Sequence, residues 1–130
     1  MNTIDFKPFI GKNTKTTDYF ISITKAYGFG LSSDFCKKNN IINGYDYALL
    51  LWDSSQMKLG IKFYKKEDKV DGVFAITKVN NSAAIMSLSW FKENEIDPKK
   101  YADKYEVKEY KDPNFGLIYF IDLKDKEDKD

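Results

Sequence analysis

A chain of 130 residues can form one domain with a buried core, and its 42% hydrophobic and 16% aromatic content argues against disorder. The net charge is +1, all 21 basic residues are lysine, and there is no arginine or histidine. The chain therefore lacks the commonest general base and metal ligand, which argues against triad hydrolases. The single cysteine excludes an internal disulfide and a thiolate metal cluster. We predict a protein without cofactor or metal.

The two ends of the chain differ in composition from its middle. Residues 1–18 contain one short apolar cluster followed by a polar stretch. Residues 124–130 alternate between basic and acidic residues and contain no apolar side chain that could be buried. We expect a flexible N-terminal arm and a disordered tail. No run reaches the roughly 20 apolar residues that span a bilayer, and residues 1–18 lack the apolar region of a secretory signal. The sequence thus predicts a cytoplasmic protein without a membrane partner.

Residues 19–66 predict four strands around one short helix. Alternating or apolar runs indicate the strands, and serines followed by an aromatic residue indicate a capped helix. The predicted elements are strands at 20–25 and 27–31, a helix at 35–38, and strands at 47–52 and 59–65. The stretch "YALLLW" at 47–52 is continuously apolar, which is typical of a strand buried on both faces.

Residues 72–123 predict the same order of elements. These are strands at 73–78 and 83–86, a helix at 88–94, and strands at 101–110 and 116–123, with "ITK" at 23–25 recurring at 76–78. We predict an α+β, β-rich single domain of two β-β-α-β-β pseudo-repeats, with a barrel-like or sandwich core and two short helices. The predicted core residues are Ile21, Ile23, Leu31, Phe35, Leu49, Leu51, Ile61, Phe63, Phe74, Ile76, Ile85, Trp90, Val107, Ile118 and Phe120.

The predicted unit of two hairpins around a short helix resembles a known DNA-binding module. "GFGLSSDFCKKNNI" at 28–41 and the hairpin formed by "YDYALLLWD" and "KLGIKFYK" resemble the AbrB/MazE-type swapped-hairpin modules, here in tandem. That family builds its barrel from two chains, so the resemblance implies a monomer acting as a pseudo-dimer, or a homodimer, that binds DNA. The four strands and helix between residues 47 and 94 are also similar to the unit of Whirly and PUR-type single-strand binders.

The charge distribution favours a nucleic-acid interface in the first half. Residues 1–66 hold ten lysines and five acids, whereas residues 67–130 hold eleven lysines and fifteen acids. Lysines neutralise phosphates and aromatic rings stack on bases, but the missing arginine argues against base-specific readout. We predict backbone-directed, salt-sensitive binding. The predicted interface residues are Lys25, Tyr27, Phe29, Lys37, Lys38, Lys62 and Tyr64.

Two other functions are open at this point. The acidic second half suits a protein-interaction or inhibitor module, of the kind found in mobile elements and phages, that binds a basic partner. Asp97, Glu106 and Lys108 also resemble the acidic and lysine pattern of metal-dependent nucleases. An edge strand that carries charges against aggregation explains the same residues more simply, so we predict a non-enzymatic protein.

Overall fold

The computed structural model describes residues 18–125, which contain ten strands and four short helices. The strands form two five-stranded antiparallel sheets, and the predicted β-rich α+β class is confirmed. The predicted arm at 1–18 lies outside the described residues except for Asp18, and so does the tail beyond Asp125. A 3-10 turn, Leu123–Asp125, extends the described structure two residues into the predicted tail.

The strands lie close to the predicted positions but have different bounds. They are β1 (Phe20–Thr24), β2 (Gly28–Leu31), β3 (Tyr47–Asp53), β4 (Lys58–Tyr64), β5 (Phe74–Ala75), β6 (Thr77–Val79), β7 (Ser82–Met86), β8 (Asp103–Glu106), β9 (Lys108–Asp112) and β10 (Gly116–Asp122). A 3-10 turn, Lys66–Asp68, follows β4.

The described residues form four helices, whereas two were predicted. They are α1 (Ser33–Lys38), α2 (Ile41–Gly44), α3 (Leu88–Glu93) and α4 (Pro98–Tyr101). The difference arises because Asn40 and Glu95, both in the left-handed conformation, end the longer helices, and the chain then makes one further turn. No helix within residues 18–125 has the length and apolar character needed to cross a membrane.

Each sheet combines strands from both halves of the sequence. The strand order is β6-β7-β2-β1-β8 in the first sheet and β5-β3-β4-β10-β9 in the second. The halves meet where β2 pairs with β7, with Phe29 opposite Ile85, and where β4 pairs with β10, with Ile61 opposite Tyr119. Neither half therefore forms a sheet of its own.

Two segments pass from one sheet into the other. β5 belongs to the second sheet and β6 to the first, with only Ile76 between them. β8 belongs to the first sheet and β9 to the second, with only Val107 between them. The single strands predicted at 73–78 and 101–110 are thus each divided in two. The hydrogen-bonded ladders of residues 18–125 remain two separate sheets and do not close into one.

The core lies between the two sheets, and the helices contribute aromatic rings to it. Phe35 of α1 packs against Phe63 and Tyr119, with ring centroids 6.0 and 5.1 Å apart. Phe29 of β2 stacks on Phe91 of α3 with centroids 5.0 Å apart. Trp52 of β3 meets Trp90 of α3 edge-on with centroids 5.2 Å apart, so the buried residues of both sheets and both longer helices form one hydrophobic core.

The sequence prediction placed the wrong face of two strands in the core. In β3 it is Ala48 that is fully buried, and Leu50 and Trp52 pack against the core, so the alternate residues face away from it. β3 is therefore not buried on both faces. β10 shows the same reversal, because Tyr119 and Ile121 face the core. The residues predicted for the core that lie on the opposite face are Leu49, Leu51, Ile118 and Phe120, of which Ile118 is nevertheless buried, as predicted.

Two serines precede α1 and α3 but differ in their hydrogen bonds. Ser32 Oγ accepts hydrogen bonds from the backbone N–H groups of Phe35 and Phe20, at 3.2 and 3.0 Å. It therefore caps α1 and ties the helix to β1. Ser87 Oγ is buried and has no hydrogen-bond partner among the described residues.

Replacing the two serines by alanine should have different effects. Ser32→Ala should lower the free energy of unfolding by about 1–2 kcal/mol, because it leaves two backbone N–H groups without their acceptor. Ser87→Ala should leave stability unchanged or raise it, because the hydroxyl is buried without compensation. Urea unfolding followed by tryptophan fluorescence measures both, and equal losses would contradict this account.

Candidate nucleic-acid interface

The second sheet has an outer face, which we define as the side of the sheet turned away from the core. In β4, Leu59, Ile61 and Phe63 are buried, so the alternate residues Lys58, Gly60, Lys62 and Tyr64 lie on the outer face. The same alternation places the odd-numbered residues of β3 from 47 to 51, and residues 118 and 120 of β10, beside them. The outer face therefore combines lysine, aromatic and aliphatic side chains.

Three aromatic rings on the outer face each have a lysine ammonium group above them. The Lys58 Nζ lies 5.5 Å from the ring centroid of Phe120, and the Lys62 Nζ lies 5.4 Å from that of Tyr64. Tyr47 pairs in register with Tyr64, and its ring lies 4.9 Å from the Nζ of Lys69, which follows the 3-10 turn after β4. Cations at these distances are attracted to the negative faces of the rings. The arrangement places positive charges directly above flat apolar surfaces.

Beside these pairs lies a groove, which we call the Gly60 groove. It is open and has a volume of about 550 Å³. Gly60 leaves its floor free of a side chain, and a Cβ there would lie 3.6 Å from both Leu51 and Ile118. The lining residues are Leu51, Trp52, Asp53, Gln56, Lys58, Gly60, Tyr110, Asp112, Phe115, Ile118 and Phe120.

The two carboxylates of the Gly60 groove are fixed by hydrogen bonds. The Ser55 hydroxyl and the Gln56 backbone N–H donate to Asp53 Oδ1 and hold the pKa of that carboxyl below its usual value. Asp112 Oδ2 accepts from the backbone N–H groups of Asn114 and Phe115, at 2.8 and 2.9 Å. The groove thus has apolar walls and two oriented acceptors at its rim.

The residues predicted for a nucleic-acid interface do not form a single surface. Lys62 and Tyr64 lie on the outer face of the second sheet. Lys25 and Tyr27 lie in the β1–β2 turn, where the Tyr27 ring packs edge-on against Phe91. The other lysines of the prediction, Lys37 and Lys38, are exposed on α1, which begins beyond the opposite end of β2.

Phe29 corrects the prediction most clearly. Its side chain is fully buried, stacked on Phe91 and edge-on to Trp90 at 5.3 Å, so its ring offers no surface to a base. Sequence reasoning also missed Tyr47, Lys69 and Phe120 on the outer face. Tyr47 belongs to a continuously apolar run that does not show which residues face outward, and the position of Phe120 depends on the pairing of β10 with β4, which the sequence does not encode locally.

The residues of the nuclease-like pattern have other contacts. Asp97 caps α4 by accepting a hydrogen bond from the backbone N–H of Lys99 at 3.0 Å. Lys108 lies 4.0 Å from Asp125 in an ion pair. Within residues 18–125, no group of three or more His, Cys, Asp or Glu side chains is arranged to hold a metal ion. The pattern therefore has a structural explanation for two of its three residues.

Three groups should make the fold sensitive to alkaline pH. Burial raises the pKa of the Cys36 thiol to about 11, that of the partly buried Tyr119 to about 12, and that of the buried Tyr105 well above its usual value. As pH rises above 9, the unfolded chain loses these protons before the folded chain does, so the free energy of unfolding should fall between pH 9 and 12. Urea midpoints at pH 8, 9.5 and 11 measure the loss. Cys36→Ala should reduce the fall in the urea midpoint between pH 9.5 and 11. A fall as large as that of the wild type would contradict a contribution from the Cys36 thiol.

Comparison with known proteins leaves the family open. The AbrB/MazE-type and Whirly/PUR-type resemblances therefore stay predictions. No protein-family model matches the chain, and no significant match was found among curated proteins or solved structures.

Proposed function

We propose that the protein is a non-enzymatic nucleic-acid-binding module that holds single strands on the outer face of its second sheet. The observation that carries the proposal is the set of three lysine–aromatic pairs on one side of one sheet. A single strand exposes both its phosphates and the faces of its bases, and the pairs offer a partner to each. A duplex hides its base faces, so it would engage only the lysines.

Lys62 and Tyr64 link this proposal to the interface predicted from the sequence. Both belong to the predicted set, and both lie on the outer face. Tyr47 and Tyr64 are directly opposite each other on neighbouring strands, which brings their rings onto one platform. The lysines supply charge without a guanidinium fork, so binding should be mainly backbone-directed and salt-sensitive.

A salt titration tests the proposal. A labelled single-stranded oligonucleotide and the matching duplex are titrated with protein at about 50 and 200 mM salt, and binding is followed by fluorescence anisotropy. With three lysines on phosphates, the single-strand affinity should fall roughly 20-fold between the two salt concentrations, and the single strand should bind more tightly than the duplex. Absence of binding to either at low salt would rule the proposal out.

A protein-interaction or inhibitor module is the second candidate. It is favoured by exposed apolar side chains on the second half of the chain: Val79, Met86 and Leu88 are 54%, 52% and 51% exposed. Exposed apolar groups beside charged ones are typical of surfaces that bind proteins. If the protein binds neither the single strand nor the duplex, immobilised wild-type protein can be used to capture partner proteins. A partner that binds the wild type but not a Met86→Lys variant would support this surface.

We also propose that the two halves are pseudo-repeats around a barrel-like centre. β3 pairs with β5 of the second half much as β8 pairs with β1 of the first half. The crossing segments at Ile76 and Val107 both lie in the second half, whereas the corresponding strands of the first half, β1 and β3, are continuous. In this arrangement one chain serves as its own partner, and light scattering should give the mass of one chain, 15.1 kDa. Twice that mass would favour a homodimer.

A further inference from the structure

The Gly60 groove lies where one residue of the outer face has no side chain. Gly60 in β4 pairs in register with Leu51 of β3 on one side and with Phe120 of β10 on the other. Because Gly60 has no side chain, a gap remains between the side chains of Leu51 and Phe120. A volume of about 550 Å³ is within the range of roughly 300–1,000 Å³ found for small-ligand clefts. The groove is therefore large enough for one heterocyclic ring with its sugar.

The walls of the groove include two aromatic rings without aromatic partners. Tyr110 is 51% exposed and Phe115 is 37% exposed, and neither ring contacts another ring within residues 18–125. The core rings, in contrast, pack against one another. Exposed flat rings beside an apolar floor present stacking surfaces for a planar ligand.

The rim of the groove combines a cation with hydrogen-bond acceptors. Lys58 belongs both to the groove and to one of the three lysine–aromatic pairs, so a strand bound at those pairs passes the groove entrance. The carboxylates of Asp53 and Asp112 lie in the lining. Asp53 already accepts three hydrogen bonds from Ser55 and Gln56, whereas both bonds to Asp112 reach Oδ2 and leave its Oδ1 as an acceptor. A carboxylate accepts hydrogen bonds from the exocyclic amino groups of bases.

We infer that the Gly60 groove binds one unstacked nucleobase of the bound strand and prefers bases with an exocyclic amino group, such as cytosine, to thymine. This inference rests on the proposed function. The lysines attract the strand irrespective of sequence, and the apolar walls stack on any base. The carboxylates then distinguish an amino group from a carbonyl oxygen, which they would repel. The result is a modest base preference on top of backbone-directed binding.

Oligonucleotides of equal length test the inference. Labelled oligo-dC and oligo-dT are titrated at about 50 mM salt with the wild type and with Gly60→Val, which fills the groove floor. The wild type should bind oligo-dC about five- to tenfold more tightly, near the lower end of the discrimination from one base-edge contact. Gly60→Val should bind both equally. Ala84→Val is the matched control, because it adds methyl groups to the outward side of β7 in the first sheet and should keep the preference.

The outcomes separate the inference from the proposed function. Equal binding of both oligonucleotides by the wild type, or a preference that survives in Gly60→Val, would overturn the base site and leave the single-strand proposal standing. Failure to bind either oligonucleotide would overturn both. If circular dichroism shows that Gly60→Val is unfolded, Phe115→Ala replaces it, because this exposed ring can be removed without opening the core. That variant should lose at least half of the preference, and an unchanged preference would overturn the base site.

Discussion

Phe29→Ala should lower the free energy of unfolding by about 3–5 kcal/mol, as expected when a large buried aromatic side chain is truncated. Phe29 is fully buried, stacks on Phe91 and meets Trp90 edge-on. The truncation would leave a cavity where β2 joins α3, and the two α3 rings would each lose a contact face. Urea unfolding followed by circular dichroism measures the loss.

Phe115→Ala is the matched control for this prediction. It removes the same side chain from a residue that is 37% exposed and lies in the β9–β10 turn, so it should cost less than about 1 kcal/mol. Folded Phe29→Ala protein, kept at low temperature, should also bind a single strand as the wild type does, since the buried ring contributes no stacking surface. If Phe29→Ala lowered the free energy of unfolding only slightly but greatly weakened single-strand binding, the burial of Phe29 would be contradicted.

Lys62→Glu should weaken single-strand binding by roughly tenfold or more at about 50 mM salt and flatten the dependence of log affinity on log salt by about 1. Lys62 holds its ammonium group over Tyr64 near the middle of the three lysine–aromatic pairs. The substitution replaces a cation beside the phosphates with an anion, so part of the effect is repulsion. Anisotropy titrations across four salt concentrations give both quantities.

Two further charge reversals test where the interface lies. One is Lys104→Glu, and the other is the double change Lys37→Glu with Lys38→Glu. Lys104 forms a similar pair with Phe20, at 4.7 Å, but on the first sheet, so its reversal should change binding little. The α1 lysines belong to the interface predicted from the sequence. If their reversal abolishes binding while Lys62→Glu does not, the interface lies on α1 and the outer-face proposal is wrong.

The local alternation of β4 shows what the sequence could predict. Leu59, Ile61 and Phe63 alternate with polar neighbours, so both their burial and the outward position of Lys62 and Tyr64 follow from the strand period. β3 gave no such signal, because "YALLLW" is apolar on both faces. There the small Ala48 is fully buried, and its neighbours Tyr47 and Leu49 face outward.

The candidate site depended on contacts between distant parts of the chain. Phe120 reaches the outer face beside Lys58 only because β10 pairs with β4, more than 50 residues earlier. Its stretch "GLIYFIDL" is apolar on both faces, so its inward and outward residues cannot be told apart by period. Phe29 was misplaced for a related reason: the α3 rings that cover it come from the other half of the sequence.

The mixing of the two halves in each sheet also constrains how the protein is made. β1 and β4 receive their neighbours β8 and β10 from residues 103–122, which lie 50 or more residues later in the sequence. A nascent chain leaving the ribosome therefore carries two unpaired strand edges until residues 103–122 have been synthesised. Prematurely terminated products would keep those edges, which are targets for chaperones and proteases. Synthesis of β8 and β10 thus acts as the step that allows these residues to reach their folded form.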